Sequence, residues 1–484
     1  MSMDTTVKAI QDIMRKDAGV DGDAQRISQL GWILFLKIFD AREEEYELDD
    51  KHKYISPIPE ELRWRNWADD PEGITGDKLL DFINDKLFKT MKNLTISEDD
   101  DPRGFVVRDV FEDSYNYMKN GTLIRQVINK VNEIDFTTSK DLHNFGSIYE
   151  KILNNLQSAG NAGEFYTPRA VTQFMVDMVD PKLGEKVLDP ACGTGGFLTS
   201  AIEHIREKYV NSVEDLRIMQ ESISGIEKKP LPHLLCITNM LLHGIEVPSR
   251  IRHDNALAYS LRGYSPKDRL DVIVTNPPFG GMEEDGIESN FPKNFQTRET
   301  ADLFLVLIIH ILKDEGRCGI VLPDGTLFGE GIKTRIKEKL LQECNLHTIV
   351  RLPNGVFSPY TGIKTNLLFF TKGEPTKEIW YYEHPYPSGY KSYSKTKPMR
   401  IEEFTPEKDW WNNREENENA WKVKVEDIIA SNYNLDIKNP NTVEKDHGDP
   451  EELLERYKII LSEIEKTRTA LKIELMDALA GKNI

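Results

Sequence analysis

Between about residue 160 and residue 385, short apolar runs alternate with helical segments, and this alternation constrains the fold more than any other feature. The runs with the length and β-branched content of strands are residues 186–189, 223–227, 251–254, 272–275, 318–322, 348–352 and 365–371. Helical stretches, such as residues 197–209 and 303–313, lie between several of them. The pattern predicts a doubly wound α/β sheet, which binds ligands at the carboxyl ends of its strands.

The sequence on either side of this alternation predicts helices. Within residues 1–150, apolar side chains recur every three or four positions, as at Ile27, Leu30, Leu34 and Ile38, which predicts an α-helical N-terminal domain. We place the α/β domain at residues 151–420 and a helical C-terminal tail at residues 421–484. From about residue 386 to the last helix, the polar sequence predicts loops.

The tail ends in a near-heptad stripe that follows Asp449 and Pro450. Its members are three or four positions apart; they are Leu453, Tyr457, Ile460, Ile464, Thr467, Leu471, Leu475 and Ala478. This spacing predicts one helix of about 30 residues, about 45 Å long. The stripe either packs on the chain's own domain or assembles with a partner chain, and its length favours assembly.

A formal net charge of −19 over 484 residues argues against a protein that coats DNA or RNA by itself, because such proteins have basic surfaces. A role on nucleic acid would need a local basic cleft or a basic partner chain. The four cysteines show no CxxC spacing and are too few for a disulfide framework. Without a secretory leader or an apolar run near the ~20 residues of a membrane span, we expect a cytoplasmic protein.

The most informative local sequence is a glycine-rich turn between a predicted strand and a predicted helix, Asp189-Pro190-Ala191-Cys192-Gly193-Thr194-Gly195-Gly196. Glycines let the backbone approach a ligand, although a plain tight turn also uses them. The turn matches neither the dinucleotide pattern GxGxxG nor a Walker A loop. Glu227 and Asp254 end the next two strands, where carboxylates can bind ribose hydroxyls and an adenine amine. Three acidic strand ends suit an adenosyl ligand without phosphates.

The second local sequence is Asn276-Pro277-Pro278-Phe279, which follows an apolar strand. The prolines fix the backbone, so the amide oxygen of Asn276 and the carbonyl of Pro277 can face one point. A planar amine that donates to both acceptors loses conjugation and becomes a better nucleophile, while Phe279 offers a face for a flat ring. The alternative is a rigid turn with an aromatic plug, but it leaves the glycine-rich turn unexplained.

Together these sequences resemble the amino-group DNA methyltransferases that use S-adenosylmethionine, and their order resembles the gamma class of that family. The upstream segment Glu164-Phe165-Tyr166-Thr167-Pro168-Arg169 is similar to one that contacts the cofactor. The strongest resemblance is to the methylation (modification) subunit of type I restriction–modification systems. It covers most of the chain and includes the stretch at residues 352–366.

The resemblance implies a Rossmann-like methyltransferase sheet and a role for individual residues. Asn276, Pro277, Pro278 and Phe279 would form the catalytic pocket for the target base. S-adenosylmethionine would be contacted by Glu164, Phe165, Tyr166, Thr167, Pro168, Arg169, Thr194, Gly195 and Gly196, with Asp189 near its methionine end, Glu227 at the ribose and Asp254 at the adenine.

The resemblance also implies partners and a setting. The substrate would be DNA with one adenine flipped out of the duplex. A specificity subunit would bind through the C-terminal helix, and a restriction/translocase subunit would join the full complex. The expected setting is the cytoplasm of a bacterium or an archaeon, and no membrane partner is expected.

The implied reaction is direct methyl transfer to N6 of adenine, for which no metal ion is needed. Cytosine-C5 chemistry is disfavoured, because it usually needs a cysteine after a proline and none of the four cysteines follows one. Two alternatives stay open. Cytosine-N4 methyltransferases usually have serine in place of Asn276, and protein glutamine N-methyltransferases, which use a similar turn, are usually shorter.

Overall fold

The computed structural model describes residues 3–48, 54–96, 101–134, 136, 149, 166–358, 361–394, 396–441 and 450–479. The strands in this part of the chain are β1 Val187–Asp189, β2 Ile223–Glu227, β3 Ile251–His253, β4 Leu270–Thr275, β5 Leu312–Pro323, β6 Cys344–Arg351, β7 Thr365–Lys372, β8 Glu378–Glu383 and β9 Ala420–Lys424. They form one sheet in the order β3-β2-β1-β4-β5-β7-β6-β8-β9. Only β7 and β9 run antiparallel to their neighbours. The predicted α/β fold is confirmed.

The N-terminal region is helical, as predicted. Its described α-helices are α1 Met3–Met14, α2 Asp23–Glu47, α3 Trp64–Trp67, α4 Gly76–Asp81, α5 Phe88–Lys92, α6 Arg103–Glu112 and α7 Gly121–Asn132, and a π-helical segment, Phe82–Leu87, joins α4 to α5. On α2 the predicted stripe from Ile27 to Ile38 is buried. Gly31 lets α2 approach the helix Pro230–Leu242 closely, because a Cβ at Gly31 would lie 2.9 Å from Cδ2 of Leu234 on that helix.

Helices cover both faces of the sheet. In chain order they are α8 Arg169–Val179, α9 Gly196–Tyr209, α10 Val213–Ser222, α11 Pro230–Leu242, α12 Thr300–Ile311, α13 Asp324–Phe328 and α14 Ile332–Glu343. Successive residues of β4 join different cores, since Val272 packs with the cluster that includes α8, α9 and α11, and Ile273 with the cluster that includes α12. This alternation is what a sheet buried on both faces requires.

All seven predicted strands are present, but the prediction of loops from residue 386 to the last helix is wrong. That interval contains β9 and the short helices α15 Thr405–Trp411 and α16 Val425–Ala430. The preceding strand, β8, was also not predicted. β9 reads Ala-Trp-Lys-Val-Lys, with Lys422 and Lys424 exposed on the edge of the sheet. Lysines protect an edge strand from pairing with other chains, and they also hide its apolar pattern.

The chain divides into two compact units, Met1–Asn439 and Pro440–Ile484. The second unit contains one long helix, α17 Pro450–Leu479, which confirms the predicted tail helix. Stripe members Tyr457, Ile464 and Leu471 are each more than half exposed, whereas Leu453 and Ala478 lie outside the residues whose side chains are described. The domain boundaries at residues 150 and 420 stay predictions. Among the described helices, none is both long enough and apolar enough to cross a membrane.

Candidate active site

The two motif sequences meet where the strand order of the sheet reverses. β1 lies between β2 and β4, so the chain leaves this point in both directions. Asp189 ends β1 and Thr275 ends β4, and the hydroxyl of Thr275 donates to Oδ1 of Asp189 at 2.6 Å. Because Asn276 follows Thr275, the glycine-rich turn and the Asn-Pro-Pro-Phe sequence lie side by side at the carboxyl edge, the usual ligand position in such sheets.

The glycine-rich turn is packed so tightly that only glycine fits at one position. Gly195 has φ +86°, and a Cβ there would lie 2.9 Å from Sγ of Cys236. Asn239 fixes the turn from below by donating to the carbonyl of Thr194 at 3.0 Å. A hydrogen bond with Cys236 and burial both raise the pKa of the Cys192 thiol. Cys192 therefore stays protonated, which agrees with a structural rather than a nucleophilic role.

The predicted acidic strand ends form a continuous row beneath this turn. Glu227 accepts hydrogen bonds from the amides of Gly193 and Lys229 at 2.9 and 2.7 Å. The amide of Asp254 in turn donates to the carbonyl of Glu227 at 2.9 Å. The carboxylate of Asp254 accepts from the hydroxyl of Tyr259. The row therefore joins the ends of β1, β2 and β3 through short contacts.

Burial raises the pKa of Asp189 from its ordinary value of 3.8 to about 7. The charge of Glu227 adds to this rise, whereas hydrogen bonds from Thr275 and the Ala191 amide oppose it. Burial also raises the pKa of Glu227, against the backbone amides that stabilise its charge. Within the described part of the chain, neither carboxylate forms an ion pair with lysine or arginine. The pocket therefore favours a cation as its ligand.

The side-chain amide of Asn276 is held through its nitrogen, while its oxygen has no hydrogen-bond partner among the described residues. Its Nδ2 donates to Oγ1 of Thr167 at 3.0 Å, which fixes the plane of the amide. Its Oδ1 is buried and has no hydrogen-bond partner among the described residues. A buried carbonyl oxygen without a partner costs about 1–3 kcal/mol, so its persistence points to a donor that is supplied by a ligand.

Phe279 lies between a second aromatic ring and a small cavity. The rings of Phe279 and Phe357 meet edge to face, with centroids 6.3 Å apart and planes at 78°. The cavity has a volume of about 220 Å³ and is lined in part by Gly281, Thr300 and Ile363. A larger cavity of about 800 Å³ lies toward the amino ends of β1 to β4, and none of the predicted site residues lines it.

The upstream segment at residues 164–169 is only partly described. Glu164 and Phe165 lie outside the described residues. Thr167 accepts the hydrogen bond from Asn276, and Arg169 begins α8. The guanidinium of Arg169 donates to the hydroxyl of Thr199 on α9 at 2.5 Å, so it links two helices behind the turn. The cofactor contacts of the whole segment stay predictions.

One contact network beside the site was not found from the sequence. Glu283, four residues after Phe279, is 7% exposed and pairs with Lys228 at 3.0 Å. It also accepts from Nδ2 of Asn255 at 3.2 Å. The loop after the Asn-Pro-Pro-Phe sequence is thereby fixed to the residues that follow the acidic strand ends. Glu283 belongs to a run of three acidic residues, a pattern more typical of an exposed surface.

Comparison with protein families shows to which family the chain belongs. Residues 140–449 match the model described as N-6 DNA Methylase, and residues 3–131 match the model described as HsdM N-terminal domain. The chain belongs to the N-6 DNA methylase family. The family assignment agrees with the adjacent glycine-rich turn and Asn-Pro-Pro-Phe sequence.

Individual relatives of this N-6 DNA methylase are similar along nearly its whole length. It is 65% identical over 488 aligned positions to the Escherichia coli type I restriction enzyme EcoEI methylase subunit, with 99% of each chain covered. A crystal structure of a modification subunit of a putative type I restriction enzyme from Vibrio vulnificus YJ016 is 47% identical, with a TM-score of 0.82 over 92% of this chain and 98% of that one. A subunit from a structural study of type I R-M complex assembly is 38% identical, with a TM-score of 0.80 and coverage of 100% and 99%.

The predicted activity is thereby confirmed. This N-6 DNA methylase is an adenine-specific DNA methyltransferase, and it is the methylase subunit of a type I restriction enzyme. The comparisons do not support the cytosine-N4 or the protein glutamine alternative. The roles predicted for individual residues stay predictions.

Proposed function

We propose that this chain transfers a methyl group from S-adenosylmethionine to N6 of an adenine flipped out of DNA, with Asn276 and Pro277 as acceptors for the target amine. The observation on which this proposal rests most is the buried, partnerless Oδ1 of Asn276 beside the glycine-rich turn. When bound, S-adenosylmethionine supplies the methyl group from its sulfonium. The residues of the chain bind, orient and shield the reacting groups.

The donor and acceptor set at the strand ends fits this cofactor. Its ammonium and sulfonium groups are cationic, and Asp189 is a buried carboxylate without a basic partner among the described residues. Glu227 would accept hydrogen bonds from the ribose hydroxyls, and Asp254 one from the adenine amine. The glycine-rich turn, with Thr194, Gly195 and Gly196, would provide close backbone contacts. Tyr166 and Pro168 remain proposed contacts by position.

Asn276 would orient the target amine rather than remove a proton from it in the ground state. Its Oδ1 and the Pro277 carbonyl would each accept one N–H, so that the lone pair of nitrogen is no longer conjugated with the ring. The hydrogen bond to Thr167 keeps the amide from rotating. Catalysis by the chain is therefore positioning and electrostatics.

Phe279 and Phe357 would stabilise the extrahelical base. Removing an adenine from the duplex costs a few kcal/mol, which stacking on aromatic side chains can offset. Phe279 follows directly on Pro278, so its ring is held by a rigid backbone. The edge-to-face contact with Phe357 keeps that ring in place when no base is bound.

Assembly with a specificity subunit would use α17. Its exposed apolar stripe has the near-heptad spacing of a coiled-coil seam. A methylase subunit with a net charge of −19 needs a partner for most of its DNA contacts. A restriction/translocase subunit would complete the full complex.

The decisive experiment is methylation of duplex DNA by the chain together with its specificity subunit, using labelled S-adenosylmethionine. Asn276→Ala should lower kcat by at least about a hundredfold, in the range found when one transition-state contact is removed, and cofactor affinity should stay nearly unchanged. Asn412→Ala, at an exposed asparagine on the end of α15, is the matched control. Normal turnover by Asn276→Ala would overturn the catalytic assignment.

A further inference from the structure

Two neighbouring loops beside the site lack acidic residues altogether, in a chain that has 81 of them. The first is residues 353–364 and the second is residues 384–400. The second contains Lys391, Lys395, Lys397 and Arg400, and the first contains Lys364. We call these two segments the basic loop pair. Their charge is opposite to that of the chain as a whole.

Contacts hold the basic loop pair together as one surface. The hydroxyl of Tyr386 donates to the carbonyl of Asn354 at 2.9 Å. Gly355 has φ +83°, and a Cβ there would lie 2.7 Å from the carbonyl oxygen of Tyr393, so the second loop packs directly on the first. The ring of Tyr390 lies 5.9 Å from that of Tyr393. Tyr386, Tyr390 and Tyr393 therefore fix the second loop, which contains most of the cations, against the first.

The cations of the pair face solvent. Lys364, Lys391, Lys397 and Arg400 are exposed, and none of the four forms an ion pair within the described part of the chain. Lys397 lies over the ring of Tyr390 at 5.3 Å, which leaves its charge available to a ligand.

Two carboxylates follow the second loop, and neither the exposed Glu402 nor Glu403 forms an ion pair with these cations in the described part of the chain. Glu403 accepts hydrogen bonds from the hydroxyl of Tyr393 and, at 3.0 Å, from the backbone amide of Arg400. Its charge is therefore used within the fold, and the side chain of Arg400 stays unpaired among the described residues.

The basic loop pair adjoins the proposed base pocket. Phe357, in the first loop, makes the edge-to-face contact with Phe279, and Ile363 lines the same cavity as Phe279. A nucleotide whose base reaches Phe279 has a phosphate on either side of it, and DNA carries one negative charge per ~1.7 Å of helix axis. The first loop, with Lys364, is therefore next to those phosphates, and the second loop, which packs on it at Gly355, contains the other cations.

We propose that the basic loop pair binds the phosphates that flank the flipped adenine, and so provides this subunit's own contact with the DNA backbone. The proposal rests on the function proposed above. Lys391, Lys397 and Arg400 are positioning residues, since they touch neither the cofactor nor the reacting nitrogen. They act on the affinity for DNA and leave the chemistry at Asn276 unchanged.

The test uses the complex with the specificity subunit and a duplex DNA of random sequence, whose binding is measured over a range of salt concentrations. In the triple variant Lys391→Gln, Lys397→Gln and Arg400→Gln, the slope of log K against log salt should become shallower by about 2.7, if each side chain neutralises one phosphate. KM for DNA should rise, with kcat and cofactor affinity retained.

The matched control makes the same change of charge at the opposite edge of the sheet. Lys182, Arg262 and Lys267 are exposed and lie in the segments that lead into β1 and β4 at their amino ends. Replacing these three with glutamine should leave the slope unchanged. Wild-type slope in both triple variants would overturn the proposal, while failure of the wild-type complex to methylate DNA would instead overturn the proposed function.

A second variant guards against a folding defect in the triple variant. Lys364→Gln with Lys391→Gln removes one exposed cation from each loop and should make the slope shallower by about 1.8. If either variant loses the specificity subunit on size-exclusion chromatography but keeps the wild-type slope in the complex that remains, the loop pair is a protein interface and the proposal is wrong.

Discussion

Replacing Asp189 with asparagine should make the free protein more stable at alkaline pH and should also abolish cofactor binding. Asp189 is 1% exposed and has no basic partner in the described part of the chain, so its charge is costly. The amide oxygen of asparagine can still accept from Thr275 and from the Ala191 amide. The substitution therefore removes the charge and keeps the hydrogen bonds of the strand end.

The size of the effect follows from the pKa of Asp189, which burial raises from 3.8 to about 7. Between these pH values the folded state binds more protons than the unfolded state, so the stability of the wild type falls as the pH rises. The full penalty, above pH 7, is roughly 4 kcal/mol at 1.36 kcal/mol per pKa unit. From about pH 5 to about pH 8.5, the stability of Asp189→Asn relative to wild type should increase by roughly 2–3 kcal/mol.

Urea unfolding followed by tryptophan fluorescence at these two pH values measures the effect, without cofactor. Asp409→Asn, at an exposed carboxylate, serves as the control and should follow the wild type at both pH values. Isothermal titration should show that Asp189→Asn no longer binds S-adenosylmethionine. A constant stability difference across the pH range would refute the reasoning, because it would mean that Asp189 does not hold an unfavourable charge.

Three further predictions concern the same chain. The affinity for S-adenosylmethionine should be about tenfold weaker at pH 6 than at pH 8, since a pKa of about 7 leaves only a tenth of Asp189 ionised at pH 6; equal affinities would contradict the proposed contact. Phe357→Ala should lower methyl transfer by at least about fivefold and Phe357→Tyr should not, because an edge-to-face aromatic pair contributes about 1 kcal/mol; labelled-methyl incorporation measures both. Deleting residues 450–484 should leave a folded protein that binds cofactor but no longer co-elutes with the specificity subunit, and retained co-elution would exclude α17 as the contact.

The sheet was predictable where the sequence has a strong local pattern. The strand ending in Asp189 and the strand before Asn276 are apolar runs that stop at a motif, and both are in the structure where they were expected. β8 and β9 were not predictable in the same way. β9 is short, and two of its five residues are lysines, so its apolar pattern is weak.

The site was predictable at the level of its motifs, since each motif is continuous in sequence. Its lateral contacts were not. Thr275 donates to Asp189 across 86 positions, and Thr167 accepts from Asn276 across 109 positions. A single sequence contains no information on which hydroxyl will face which carboxylate after the strands have paired. The burial that shifts the pKa of Asp189 is likewise a property of the packed sheet and not of the motif.

The charge distribution of the chain explains how an acidic protein can act on DNA. The carboxylates of Asp189, Glu227 and Asp254 would repel phosphates but suit a cationic cofactor. A flipped adenine is neutral, so it can approach this pocket without that penalty. In the proposed complex, the phosphates on either side of it would stay outside, next to the basic loop pair, which contains no acidic residue. On this view the net charge of −19 weakens non-specific binding to DNA and does not affect the binding of the target adenine in the site. Lowering the negative charge at exposed positions far from the site should therefore increase binding to random DNA with no increase in kcat.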